Sequence, residues 1–173
     1  VIAMNEGDVV ITNHPAFGGS HLPDVTLIKP IFFKSKLVGY VANRAHHAEI
    51  GGSKPGSMPA NATMLEQEGV IIEPTYLVKN HIPQWEAVKE ILQTARYPTR
   101  SIQENLADLN GALAAVNLGD KGLQEICTIH GEKEVRFYMQ ALRDYASNLL
   151  SQKIKALKKK SFTATELLDD GSS

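Results

Sequence analysis

The chain has 173 residues, 43% of them hydrophobic and 21% charged, with a formal net charge of -1. That is enough apolar sequence for one sizeable core, and the balance of charge gives no electrostatic ground for nucleic acid or an anionic membrane as partner. The single cysteine, Cys127, excludes an internal disulfide and a thiolate-rich zinc cluster, and no apolar run approaches the roughly 18 residues of a membrane span. No basic-then-apolar leader opens the sequence, so the expected compartment is the cytoplasm.

The first elements have strand character. Asp8 to Thr12 ("DVVIT") is β-branched and bounded by Gly7 and Asn13. "VTLIKPIFF" and "KLVGYVANR" predict two more strands, joined through Lys34, Ser35 and Lys36 as a hairpin, with Pro30 marking an edge position or a bulge. From Ala48 to Asn61 the chain is dense in Gly, Ser and Pro, and periodicity disappears, which predicts a long functional loop. Strand character resumes in "GVIIEPTYLV" from Gly69 to Val78.

Beyond Pro83 the spacing becomes helical. Trp85, Val88, Ile91 and Leu92 share one face, with Pro83 near the first turn. Ile102, Leu106, Leu109, Leu113 and Val116 define the next helix, with Ser101 and Glu104 as a capping box and Gly119 as the stop. Asp120 then caps a further helix to His130, closed by Gly131. A last helix is expected from about Glu132 to Lys159, with Val135, Tyr138, Leu142, Tyr145, Leu149 and Leu157 as its apolar stripe. A helix roughly 40 Å long needs partner surface along it, which points to an oligomer or to further chain. The fold class is therefore α+β: a strand-rich part over residues 1–80 with a long Gly/Pro-rich loop, and a mainly helical part over 81–173.

Four of the six histidines fall in two windows, "NHPAFGGSHLPD" and "NRAHHAEIGG". Pro23 stiffens the turn between His21 and Asp24, and the Gly18–Gly19 pair permits a tight backbone approach. His46 and His47 are neighbours on a strand and point to opposite faces, so one of them at most joins a site with His21 and Asp24. Two His and one Asp suit a divalent transition metal such as Mn, Fe or Zn, with positions left for water or substrate. The same spacing is more often a surface hydrogen-bond pair. Arg44 is a candidate for a substrate carboxylate, although an edge-strand arginine more often serves a structural ion pair. Glu66 and Glu68, flanking Gln67, offer a base, although such acids are more often solvated surface groups, and His14 is a loop residue.

The ordered series "GDVVITNHPAFGGSHLPDVTL", "VANRAHHAEIGGSKPGSMP", "ATMLEQEGVII" and "SIQENLADLNGALAAVN" resembles the hydantoinase B / 5-oxoprolinase family across nearly the whole chain. The resemblance implies a metal held by His21, Asp24 and His46, with a further glutamate ligand drawn from upstream of residue 1. His14, Arg44, His47 and Glu68 are then weaker candidates for substrate contact or support of the ligands. Asp is common in the family where His14 stands, and an acid is common where Met64 stands. The family also implies that ATP is used by a hydantoinase A-type partner subunit or domain. No Gly-x-x-x-x-Gly-Lys motif occurs here to bind ATP within this chain. The implied activity is metal-assisted opening of a small cyclic amide. The alternatives are the metal-bearing subunit of an ATP-dependent ketone carboxylase and a catalytically silent assembly module. Full-length relatives are longer on both sides, so this chain is expected to be a fragment, inactive by itself.

Overall fold

The computed structural model describes residues 2–57, 59–157 and 161–165. Residues Val1–Glu132 form one compact unit and Lys133–Ser173 a second. In the first, five antiparallel strands, β1 (Val9–Thr12), β2 (Asp24–Phe33), β3 (Lys36–His46), β4 (Thr75–Lys79) and β5 (Ile82–Pro83), are ordered β3-β2-β1-β4-β5. Two helices follow, α1 (Trp85–Thr94) and α2 (Ile102–His130). The fold is α+β, strands first and helices after.

Strand alternation divides the sheet. Val9, Ile11, Val25 and Leu27 enter one buried cluster with Val88 and Leu92 of α1 and Leu109 and Val116 of α2, while Trp85, Ile91, Ile102 and Leu113 pack on it half-buried. Burial of each such aliphatic side chain is worth about 1.5–3 kcal/mol. The even-numbered positions of β2 and those of β3 from Tyr40 to His46 lie on the opposite face, where Thr26 receives a hydrogen bond from Arg44 Nε at 2.9 Å.

The β2–β3 hairpin closes at Phe33↔Lys36 through Lys34 and Ser35, whose φ values of 50° and 62° suit the primed turn that matches strand twist. Its register shifts between Ile31 and Phe32: Phe32 faces Leu37 but Ile31 faces Gly39, which leaves Val38 as a bulge. The ladder of β1 on β2 ends at Val10↔Ile28, so at Pro30 β2 has a strand neighbour on the β3 side only, the edge-like position where a proline is tolerated.

Three expectations are corrected. Ser101 is the N-cap of α2, but its side chain makes no capping hydrogen bond, so the capping box with Glu104 does not form. Gly119 does not stop the helix and Asp120 does not start another: α2 continues unbroken to His130. Lys29 on β2 reaches across this point, donating to Asn117 Oδ1 at 2.8 Å and pairing with Asp120 at 2.7 Å, and so holds the helix where glycine weakens it. Pro83 belongs to β5, and α1 begins at Trp85. In addition, the run from Gly69 becomes a strand only at Thr75.

Gly119 has its own packing reason, since a Cβ there would stand 2.9 Å from Val41 Cγ1 of β3, whereas a Cβ on Gly111 meets nothing within 4 Å. Gly111→Ala is therefore expected to raise the urea midpoint, by up to about 1 kcal/mol in stability. Gly119→Ala is expected to lower it, because the clash with a branched, partly buried neighbour outweighs the same helical gain. Equal effects of the two changes would contradict close packing of α2 on β3.

In the second unit α3 (Glu132–Ala156) carries the expected stripe. Val135 is buried, while Tyr138, Leu142, Tyr145, Leu149 and Leu157 are exposed, a patch larger than scattered surface apolars. Lys158 to Lys160 and the last eight residues of the sequence lie outside the described residues. Among the described residues no helix is long and apolar enough to cross a membrane.

Candidate metal centre

His21, Asp24 and His46 converge. One donor atom from each lies within 4.8 Å of the others. His21 Nε2 stands 3.4 Å from Asp24 Oδ2, His46 Nδ1 stands 3.1 Å from Asp24 Oδ1, and the two imidazole rings are perpendicular with centroids 5.2 Å apart. Asp24 opens β2, His46 closes β3, and the two are register partners. The bulge at Val38 makes them so. Counted from the Lys34–Ser35 turn without it, Asp24 would face Ala45, and His46 would fall on the other side of the sheet.

His21 is placed by a stiff turn. Leu22 is fully buried, the Asp24 amide donates to the His21 carbonyl at 3.0 Å, and the Pro23 carbonyl accepts from Val25 and His47. Asn13, buried after β1, donates from Nδ2 to the carbonyls of Leu22 and Val70, both at 2.8 Å, and accepts from the Ile72 amide at 2.7 Å. Gly19 passes so close to Asn13 that a Cβ would stand 2.5 Å from its carbonyl oxygen. His21 Nδ1 is buried without a hydrogen-bond partner.

The remaining candidates make other contacts. Arg44 donates to Thr26, to Ser20 Oγ at 3.2 Å and to the Gly18 carbonyl at 2.5 Å, which ties the glycine loop to the strand pair beside the cluster. His14 caps a short 3-10 turn, its Nδ1 accepting from the Ala16 amide, and faces Glu73 at 3.6 Å. Glu68 ends the 3-10 turn Leu65–Gln67. His47 does turn to the opposite face from His46: it is buried, with Nδ1 3.2 Å from Asn105 Nδ2 of α2 and Nε2 unpartnered. Burial lowers its pKa, opposed by the Asp108 carboxylate and assisted by His46.

Sequence reasoning missed Asn105 and Glu49, which anchor the chain just after His47. Asn105 also donates to the Glu49 carbonyl at 2.7 Å. Its place three residues after Ile102 and four before Leu109, on the apolar face, was the available signal. The Glu49 carboxylate accepts from Thr99, from the Arg100 and Gly51 amides and from the Arg100 guanidinium. Burial alone raises its pKa, but these hydrogen bonds together outweigh it and hold the group below its ordinary value. A carboxyl depressed on folding stabilises fully above its unfolded value and loses that contribution as pH falls through the folded one. Glu49→Gln is thus expected to flatten the acid limb of the stability curve below about pH 5, read as urea midpoints; an unchanged limb would place the acid sensitivity elsewhere.

The family described as hydantoinase B/oxoprolinase matches residues 2–173. 5-oxoprolinase 1 of Arabidopsis thaliana is 41% identical over 162 residues, 89% of this chain and 13% of that protein. The crystal structure of the ATP-dependent caprolactamase from Pseudomonas jessenii superposes with a TM-score of 0.75 at 29% identity, covering 96% of this chain and 28% of that one. A nucleotide-free acetone carboxylase shares the fold, with a TM-score of 0.66 at 21% identity over 76% of this chain and 17% of that one. The chain thus spans between about an eighth and a little over a quarter of the length of these relatives. With residues 2–173 matched to it, the chain belongs to the hydantoinase B/oxoprolinase family.

Proposed function

We propose that this chain carries the metal-binding part of the B component of an ATP-dependent cyclic-amide hydrolase. The observation that carries the reading is the convergence of His21, Asp24 and His46. The names of its relatives, 5-oxoprolinase and caprolactamase, supply the substrate class. The donor set fits the group: two imidazole nitrogens and one carboxylate oxygen suit Mn, Fe or Zn. At bond lengths of about 2.0–2.2 Å such ligands would have to draw in from a present spacing of up to 4.8 Å.

A divalent ion held there supplies Lewis acidity toward a carbonyl oxygen or a water molecule. The chain's own residues supply position. Leu22 and Pro23 fix His21 over Asp24, the Asp24 carboxylate spans the two imidazoles, and Arg44 holds the glycine loop down beside them. ATP is assigned to an A-type partner subunit or domain, in line with the caprolactamase relative being a subunit beta. The exposed stripe of α3 supports association with further protein.

The test uses the full-length polypeptide with its ATP-using partner. ADP and ring-opened acid are expected to form together from a lactam or from 5-oxoproline, with stoichiometric divalent metal in the protein. Metal-free protein that still binds its partner would make the chain an assembly module, and carboxylation of a ketone without lactam hydrolysis would make it a carboxylase subunit.

A further inference from the structure

Beside the cluster, the edge of β3 and the facing side of α2 flank an open cleft of about 420 Å³, toward the small end of ligand sites. His46 lines it from the strand and Asp108 from the helix. Asn43, whose Nδ2 donates to the Ala112 carbonyl at 2.7 Å, ties the two walls together, and its Oδ1 is buried without a hydrogen-bond partner. Gly111 lines the same space, and a Cβ added to it would meet nothing within 4 Å. The Asp108 carboxylate is 4.0 Å from His47 Nδ1, longer than a hydrogen bond, so its oxygens keep acceptor capacity. Arg44, also in the lining, gives one donor from each of its three nitrogens to Thr26, Ser20 and Gly18.

We infer that this cleft holds the substrate ring, and that Asp108 accepts a hydrogen bond from the ring N–H, which selects cyclic amides whose nitrogen is unsubstituted. The inference rests on the cyclic-amide reading above and adds to it where the ring lies and what recognises it. A small ring forces its amide to be cis, so the carbonyl and the N–H leave from one edge of the molecule. The cleft offers that edge a metal-ligand wall at His46 and an acceptor wall at Asp108. A site whose polar group is matched to a substrate N–H discriminates strongly against an analogue that lacks it. Gly111 provides room for the ring, since almost any side chain at that position would enter the cavity.

The test is steady-state kinetics of the full-length, metal-loaded protein with its partner and ATP, using a simple lactam and its N-methyl derivative. Gly111→Leu is expected to raise KM for the lactam about tenfold or more, with metal content and folding midpoint no lower than in the unaltered protein. Asp108→Ala is expected to raise KM for the N–H lactam similarly and leave the N-methyl compound unaffected, so that the preference between them collapses. Asp108→Asn, which keeps an acceptor oxygen, should recover part of that preference. Either an unchanged KM in Gly111→Leu or an unchanged preference in Asp108→Ala overturns the inference while leaving the hydrolase reading intact. Absence of lactam hydrolysis by the unaltered protein overturns the hydrolase reading, and this inference with it.

Discussion

On the proposed metal-centre reading, replacing His21 by alanine in the full-length protein is expected to remove divalent metal and ring-opening activity together, whereas His47→Ala keeps the metal. The two residues separate because of where they sit. His21 Nε2 faces the Asp24 carboxylate at 3.4 Å with the His46 ring beside it, while His47 lies on the other side of the sheet against Asn105. Changes in residues that merely support a metal's ligands typically cost 10–100-fold in affinity. Loss of a ligand itself should exceed that, about 100-fold or more. His47→Ala instead removes a buried side chain and one hydrogen bond to α2, at about 1–3 kcal/mol of stability. Elemental analysis and turnover on the same preparations decide the matter: a His21→Ala protein that keeps both its metal and its activity would sink the shared-metal reading.

Leu109→Ala is expected to destabilise the first unit by about 2–5 kcal/mol. Leu109 is 1% exposed and belongs to the cluster that α2 forms with Leu27 and Val25 of the sheet, so truncation leaves a cavity that strands on one side and a helix on the other cannot easily collapse. Leu106, one turn earlier, is only half-buried, and its truncation should cost less. Urea midpoints of the two variants check the ordering. An unchanged midpoint for Leu109→Ala would mean that this face of α2 does not hold the fold.

What could be read without a structure was local. β-branched runs between Gly, Asn and Lys-Ser punctuation predicted β1, β2 and β3. A stiff His-Leu-Pro-Asp turn predicted that His21 and Asp24 stay together, and strand alternation predicted that His46 and His47 part. Each depends on neighbours within a few residues, which the chain itself determines. The tertiary structure decided the rest. Gly119 reads as a helix stop, yet Lys29 and Val41 of the sheet hold α2 through it. Ser101 has the residue type of a cap without making the bond. Asn105, Glu49 and Asp108 acquire their roles only when α2 comes against the end of β3, more than 50 residues away in sequence. Most telling is the single unopposed residue Val38: without that bulge Asp24 would face Ala45, and His46 would point away from it. Residue types in the chain thus determined which side chains can bind a metal, whereas strand register, a property of two paired segments and of no one residue, decided that they meet.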